Sequence, residues 1–186
     1  VEAIGPTEPQ TPTHLIAAAS APIYAEPDDL TPALARLTMG SRISGHEHHG
    51  FLATDSGFVP FTHVRPVGAV EHDPVAVAER LAGTPYLLGG RSNQGIDCSG
   101  LVQLALALCG IRAPRDSDQQ RSLGYPLGPD TPLERGDLIF FEGHVGLMHS
   151  SEDLIHATGH RGETVIEPLA DVASRTAVLE RRRLPA

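Results

Sequence analysis

The feature that most constrains the fold is a largely apolar run, Leu101 to Cys109, which Gly110 closes. Its length and the closing glycine predict a helix, because glycine commonly follows the last residue of a helix. Asp97 precedes the run and is suited to cap the helix with its side chain. Cys98 then lies in the first helical turn, where free backbone N–H groups and the helix dipole are expected to favour a thiolate over a thiol.

A histidine follows on a segment with strand character. The apolar segment Leu138 to Phe141 predicts one strand, and His144 to His149 predicts the next. A histidine on a strand is the usual partner that takes the proton from a catalytic cysteine. We therefore expect Cys98 to be a nucleophile and His144 to be its general base, in the arrangement of a hydrolase. The alternative for each is a buried structural side chain.

A second histidine, His156, lies twelve positions after His144. This spacing suits two neighbouring antiparallel strands joined by a turn at residues 150–153. We expect His156 to hold the His144 ring through its second ring nitrogen, which fixes the tautomer and orientation as the aspartate does in a serine triad. The alternative is a histidine that only packs on the sheet.

Composition excludes several functional classes. The chain has 186 residues and a formal net charge of −9, and all 14 basic residues are arginine. Without lysine, Schiff-base chemistry and phosphate-loop lysine chemistry are excluded. Nucleic-acid binding is not expected, because it needs a basic surface. No run of about 18 apolar residues occurs, so no membrane-spanning helix is predicted.

The start of the chain bears on where in the cell the protein is found, and the spacing of its cysteines bears on disulfide formation. The first residues lack the basic and apolar regions of a secretory leader. We therefore expect a cytoplasmic protein, or a periplasmic or secreted one if the natural N-terminus is longer, because the chain begins with Val1. Cys98 and Cys109 are expected to be about 16 Å apart in one helix, too far for a disulfide.

The sequence divides into two predicted domains. Residues 1–13 are rich in proline and threonine and are expected to form an N-terminal arm. Residues 14–66 carry short strands broken by turn residues, which predicts a small β-barrel. Residues 67–73 form the predicted linker. In residues 74–186 helices come first and strands follow, so this domain is predicted as α+β with an antiparallel sheet.

The motifs of the second domain resemble the NlpC/P60 family of papain-like cysteine peptidases. The matching segments are Gly83 to Tyr86 with Gly89-Gly90, Asp97 to Gln103, Pro114 to Ser117, Arg135 to Leu138, Gly143 to Gly146 and Leu154 to Ala157. The N-terminal region resembles the bacterial SH3-like domain that often precedes such a peptidase. The resemblance implies a papain-like fold and hydrolysis of γ-D-glutamyl–diamino acid bonds in peptidoglycan, with Cys98, His144 and His156 as the catalytic residues.

The resemblance also implies roles for polar residues near the nucleophile. Tyr86 is expected to contribute to the oxyanion hole. Asp97, Ser99 and Ser117 are expected to contact the polar ends of the substrate. One departure is Leu88, where many relatives have tryptophan.

Two charged side chains are candidates for the ends of the substrate. Arg115 is the nearest cation for the D-glutamyl α-carboxylate, with a surface salt bridge as the alternative. If the SH3-like domain covers the non-prime side of the cleft, an acid from residues 20–60 is expected to bind a free N-terminal amine. We assign this acid to Glu26.

Taken with these residues, the resemblance implies a cysteine peptidase that cleaves murein tripeptides or tetrapeptides with a free N-terminus. Two alternatives stay open: an acyltransferase or amidase that uses the same thiol chemistry, and a cell-wall binding protein with a degenerate peptidase domain. No cofactor is expected, and the sequence leaves the oligomeric state open. The segment His46 to His49 has metal-like spacing but no recognisable third partner, so a solvated hairpin is expected there.

Overall fold

The computed structural model describes residues 11–185. It divides the chain into two units, one that ends at Ala69 and one that begins at Val70. This boundary falls within the predicted linker, residues 67–73. Most of the predicted N-terminal arm, residues 1–10, lies outside the described residues. The assignment of the two units as named domains stays a prediction.

The first unit is built from short strands. They are β1 (His14–Ile16), β2 (Ser20–Ile23), β3 (Ala35–Thr38), β4 (Arg42–Ile43), β5 (His46–His48), β6 (Phe51–Thr54), β7 (Gly57–Pro60) and β8 (Val64–Pro66), with a 3-10 helix at Phe61–His63. β1 lies between β4 and β8, β6 lies between β5 and β7, and β2 pairs with β3, all antiparallel. Within the described residues these sheets are separate and no closed barrel is found. The SH3-like barrel therefore stays a prediction.

A glycine turn explains why one predicted strand is divided. The sequence predicts a strand from Leu37 to Ile43 that is interrupted at Gly40. Gly40 has a φ of 81°, a left-handed conformation that glycine adopts readily. The two halves consequently become β3 and β4, which belong to different sheets. The residues Asp55-Ser56-Gly57 predict a hairpin turn, and the structure confirms it, since Thr54 pairs with Gly57 across a tight turn.

The second unit combines helices with one large sheet. Its helices are α1 (Pro74–Glu79), α2 (Cys98–Leu108), α3 (Ser117–Gln120) and α4 (Leu169–Arg175). Its strands are β9 (Arg91–Ser92), β10 (Gly95–Ile96), β11 (Tyr125–Pro126), β12 (Leu138–Phe141), β13 (His144–Met148), β14 (Asp153–Thr158), β15 (Glu163–Pro168) and β16 (Glu180–Arg183). Among the described residues, β11 to β16 form an antiparallel sheet in the order β11-β16-β12-β13-β14-β15. The mixed helix-and-strand architecture is confirmed, while α4, which lies between two strands, is not predicted by the sequence.

The buried helix α2 is the element that positions the candidate nucleophile. Most of its apolar side chains, among them Leu101 and Leu106, are fully buried, and the helix packs against β13 and β14. Its N-cap is Asp97, whose carboxylate accepts a hydrogen bond from the Gly100 N–H at 2.7 Å. The predicted helix and its cap are confirmed. Cys98 is therefore held at the point where α2 begins.

The pairing of β13, β14 and β15 positions the two histidines. β13 and β14 are antiparallel neighbours, with Leu147 opposite Ile155, which confirms the pairing predicted from the histidine spacing. β15 pairs with β14 on its other side. Three adjacent strands can thus contribute side chains to one site.

Within residues 11–185, no helix has the length and apolar character needed to cross a bilayer.

Candidate active site

Cys98 lies in a setting that favours the neutral thiol. The residue is 6 % exposed, and burial raises the pKa of its thiol, with a further rise from the Asp97 carboxylate. The backbone N–H groups of Val145, Ser99 and Cys98 itself act in the opposite direction and lower this pKa. The expectation that the helix start favours a thiolate is therefore wrong for the resting protein, because removal from water outweighs the N–H groups.

The two predicted histidines are hydrogen-bonded to each other and to a carboxylate. His144 Nε2 lies 2.7 Å from His156 Nδ1, and His156 Nε2 lies 2.9 Å from Glu167 Oε1. His156 is 1 % exposed and Glu167 is 4 % exposed. The sequence analysis does not identify Glu167. Glu167 is identified only by the pairing of β14 with β15, which places it on the strand next to that of His156.

The histidines are neutral at neutral pH. Burial and, to a smaller extent, the nearby His156 lower the pKa of His144 to about 4 against the opposing charge of Glu167. Burial also lowers the pKa of His156, although Glu167 opposes this shift. Burial acts to raise the pKa of Glu167, but the hydrogen bonds that it accepts from His156 and Arg175, together with the charge of Arg175, lower it overall. The group therefore consists of two neutral imidazoles and one carboxylate.

The free nitrogen of His144 is the one suited to exchange a proton with the thiol. Nε2 is occupied by His156, so Nδ1 is left. The Cys98 sulfur reaches the Val145 N–H, which directly follows His144 in the chain. The hydrogen bonds found in the described part of the chain do not include one between Cys98 Sγ and the His144 ring. Such contacts often tighten only when substrate is bound.

Asp97 and Arg115 form a second charged pair, next to Cys98. Arg115 donates to both carboxylate oxygens of Asp97, at 2.8 and 2.6 Å, and to the Ser99 hydroxyl at 2.9 Å. The N–H of Gly89 also donates to this carboxylate, at 2.8 Å. Burial acts to raise the pKa of Asp97, but these hydrogen bonds and the Arg115 charge lower it overall. Arg115 thus already has a carboxylate partner, and its contact with substrate stays a prediction.

A cleft of about 390 Å³ brings several predicted residues together. Its lining includes Tyr86, Asp97, Cys98, Ser99, Arg115 and Ser117, together with the exposed Leu88 and with Gly143, which precedes His144. The candidate nucleophile therefore opens onto a space that is bordered by an arginine, a carboxylate and hydroxyl groups. Tyr86 is half-buried, and burial followed by the proximity of Cys98 raises the pKa of its hydroxyl. The cleft is large enough for part of a short peptide.

The sequence analysis also names candidate binding residues in the first unit, which are distant in sequence from the residues of the cleft. Glu26 is exposed in the first unit, and its role toward a substrate amine stays a prediction. His46 and His48 are exposed on β5, which agrees with the expected solvated hairpin. Among residues 11–185, no three His, Cys, Asp or Glu side chains are grouped so that they could hold a metal ion. Cys98 and Cys109 are both free, as the sequence predicts.

Comparisons with known proteins converge on one family. The sequence model of the NlpC/P60 family matches residues 83–183. A probable endopeptidase NlpC homolog of Haemophilus influenzae is 34 % identical over 110 residues, which cover 58 % of this chain and 60 % of that protein. The peptidoglycan endopeptidase RipB of Mycobacterium tuberculosis is 35 % identical over 104 residues, which cover 47 % of this chain and 43 % of RipB. The chain thus spans only about half the length of these relatives.

A solved structure supports the fold. The crystal structure of an NlpC/P60 family protein from Bacillus cereus superposes with a TM-score of 0.76 at 23 % sequence identity. The match covers 94 % of this chain and 64 % of that protein. At this level of identity the similarity establishes the fold.

Proposed function

The chain belongs to the NlpC/P60 family, and from that premise we propose that it is a cysteine endopeptidase that hydrolyses the γ-D-glutamyl–diamino acid bond of peptidoglycan peptides. One observation carries the proposal. Cys98 begins a buried helix and contacts the start of the strand whose His144 is hydrogen-bonded to a second buried histidine. The endopeptidase names of its relatives support the reaction class, and RipB supports the substrate class. The γ-D-glutamyl specificity rests on the motif resemblance.

The proposed reaction proceeds through an acyl-enzyme. His144 Nδ1 takes the thiol proton as Cys98 Sγ attacks the carbonyl carbon of the scissile amide and a C–S bond forms. The imidazolium then gives this proton to the leaving amine of the diamino acid as the C–N bond breaks. Water attacks the thioester while His144 accepts one of its protons. The C–S bond breaks, the acid product leaves, and the proton returns to the thiol.

The start of α2 is suited to stabilise the oxyanion. The backbone N–H of Cys98 is close enough to the sulfur to act on the pKa of the thiol, and the half-buried Tyr86 lines the same cleft. Donors fixed before the reaction stabilise developing negative charge without reorganising. We assign the oxyanion contacts to these two groups.

Polar groups on the cleft wall are suited to bind the peptide. Asp97, Ser99 and Ser117 border the cleft with Arg115, and their polar atoms match the charged and amide groups of a γ-D-glutamyl peptide. The contact of Arg115 with the α-carboxylate, and that of Glu26 with a free amine, rest on the resemblance and on charge complementarity. These contacts are the part of the proposal that the choice of peptide tests.

A peptide assay tests the proposed activity. The wild-type protein and a Cys109→Ser control are expected to release diaminopimelate from L-Ala-γ-D-Glu-diaminopimelate, whereas Cys98→Ser is expected to release none. Product formation is followed by chromatography and mass spectrometry. Turnover by Cys98→Ser at nearly the wild-type rate would place the nucleophile elsewhere. Peptide binding without cleavage by the wild type would support the degenerate binding protein instead.

The same assay tests the free-amine requirement. If a carboxylate binds the N-terminal ammonium, acetylation leaves that carboxylate unpaired, which costs about 1–3 kcal/mol. This corresponds to a fall in kcat/KM of about 5- to 150-fold for the N-acetylated tripeptide. Equal kcat/KM values for the two peptides would remove the amine contact from the proposal and leave the endopeptidase activity in place.

A further inference from the structure

Glu167 is a buried carboxylate to which the proposed mechanism assigns no role. That mechanism assigns roles to the cysteine and the two histidines. It lies on β15, with its backbone opposite Leu154 of β14, and it is 4 % exposed. We propose that Glu167 is a positioning residue that fixes the tautomers of both histidines, so that Nδ1 of His144 is the unprotonated, basic nitrogen. The proposal deepens the proposed function and rests on it for its catalytic meaning.

The first step of the argument concerns the hydrogen between Glu167 and His156. Glu167 Oε1 lies 2.9 Å from His156 Nε2. An ionised carboxylate only accepts hydrogen bonds, so Nε2 of His156 must carry the hydrogen. Arg175 donates to the same oxygen at 2.6 Å, which keeps the carboxylate ionised despite its burial.

The second step carries this constraint to His144. In a neutral imidazole one ring nitrogen donates and the other accepts. Since Nε2 of His156 donates to Glu167, its Nδ1 must accept. The partner at 2.7 Å is His144 Nε2, which must therefore carry the hydrogen. Nδ1 of His144 is then left with its lone pair free, as a base toward the thiol requires.

The third step compares this role with a purely structural one. Glu167 also forms ion pairs with Arg175 on α4 and with Arg161, whose Nε lies 3.5 Å from Oε2. A structural clamp would depend on the negative charge that these arginines share. A tautomer relay depends only on a hydrogen-bond acceptor at the position of Oε1. Two substitutions separate these requirements.

Glu167→Met and Glu167→Gln form the decisive pair. Both remove the charge, but the amide oxygen of glutamine can take the place of Oε1 while methionine offers no comparable acceptor. We expect Glu167→Met to lower kcat by about 10- to 100-fold with little change in KM, as when the outer hydrogen-bond partner of a functional imidazole is lost. Glu167→Gln is expected to retain most of the activity. Glu163→Gln, at an exposed position of the same strand, is the matched control.

The tautomers are read directly by ¹⁵N NMR of the histidine rings in the resting protein at pH 7. Wild type and Glu167→Gln are expected to show both His144 and His156 protonated at Nε2, and Glu167→Met is expected to show mixed tautomers. A wild-type His144 protonated at Nδ1, or equal losses of kcat in the methionine and glutamine variants, would overturn the proposal. The NMR measurement needs no substrate and no variant, so it stands if Glu167→Met does not fold. It also separates this proposal from a failure of the peptide assay.

Discussion

Two buried carboxylates in the second unit have similar surroundings and hold different parts of the site. Asp97 and Glu167 are each 4 % exposed, each has a lowered pKa, and each binds an arginine whose side chain is about one-third exposed. Asp97 accepts hydrogen bonds from the backbone N–H groups of Gly89 and Gly100. Glu167 instead accepts one from a histidine ring.

The difference separates two tasks within one site. A carboxylate that binds backbone N–H groups fixes the path of the chain, so Asp97 holds the loop and the helix start around Cys98. A carboxylate that binds an imidazole fixes the position of a hydrogen, so Glu167 acts on the proton chemistry of His144. We therefore expect changes near Asp97 to affect stability and changes along the histidine pair to affect turnover.

The largest expected effect is on turnover, in the histidine pair. His144→Ala removes the group that transfers the proton, and general acid–base catalysis contributes about 10²–10⁴-fold to rate. His156→Ala removes only the partner that orients the ring, so a smaller loss is expected. The measurement is kcat/KM for the tripeptide. If His156→Ala has wild-type kinetics, His156 is not the third member of the catalytic set.

The next effect is on stability, at Asp97. Asp97→Asn removes the charge that Arg115 binds at both oxygens. Breaking a buried ion pair costs about 3–5 kcal/mol, and we expect the lower end because Arg115 is partly exposed. The free energy of unfolding is measured by urea denaturation, with the exposed Asp130→Asn as control. Equal stabilities of the two variants would contradict the structural role given to Asp97.

As the pH falls, the protein is expected to lose stability first through His144 and then, at lower pH, through Asp97. Burial lowers the pKa of His144 from 6.5 to about 4, so the unfolded chain binds the proton more tightly than the folded protein does. The contribution of this group to stability is complete above pH 6.5 and falls as the pH drops toward 4. At about 1.4 kcal/mol per pKa unit the loss is about 3 kcal/mol.

The Asp97 carboxylate responds at lower pH. Its pKa is lowered from 3.8, so its contribution to stability is lost only as the pH falls below this value. Urea denaturation of wild type and His144→Gln between pH 7 and pH 4 separates the two groups. We expect His144→Gln to show a flatter pH dependence in this range. Identical slopes for the two proteins would contradict the buried neutral state of His144.

The smallest expected effect is that of a chelator. The proposed reaction runs through a thiol and two histidines, so EDTA is expected to leave kcat/KM unchanged. Addition of zinc to the chelated protein serves as the control. Loss of activity that zinc restores would favour a metallohydrolase and remove the thiol from the mechanism.

Local pattern in the sequence predicts the nucleophile half of the site. Asp97 and Cys98 are adjacent, and the apolar run that follows them predicts both the helix and its cap. The histidine pair is predicted at medium range, because the spacing of His144 and His156 suits a hairpin. These features depend on chain segments that are short enough for periodicity and turn residues to reveal.

The rest depends on tertiary structure. Glu167 is one acid among several near the end of the chain, and its partners are set by the register of β15 and by α4, which the sequence does not predict. The sequence also does not predict the net shift in the pKa of Cys98, because a helix start is visible in the sequence whereas the degree of burial is not. In the first unit, the pairing of the strands depends on the direction that the chain takes after each turn. The strands are too short for their sequences to indicate which of them pair.

The most direct test of the account is whether the peptide acylates Cys98 in a step that needs His144. Wild type and His144→Ala are mixed with L-Ala-γ-D-Glu-diaminopimelate at pH 7 and quenched in acid, and acylation of each cysteine is followed by peptide mass spectrometry. Cys109 is the internal reference, since burial raises the pKa of its thiol to about 11. We predict that the L-Ala-D-Glu acyl group is found on Cys98 in the wild type, and that neither cysteine is acylated in His144→Ala. Equal acylation of Cys98 in the two proteins, or an acyl group on Cys109 instead, would contradict the account.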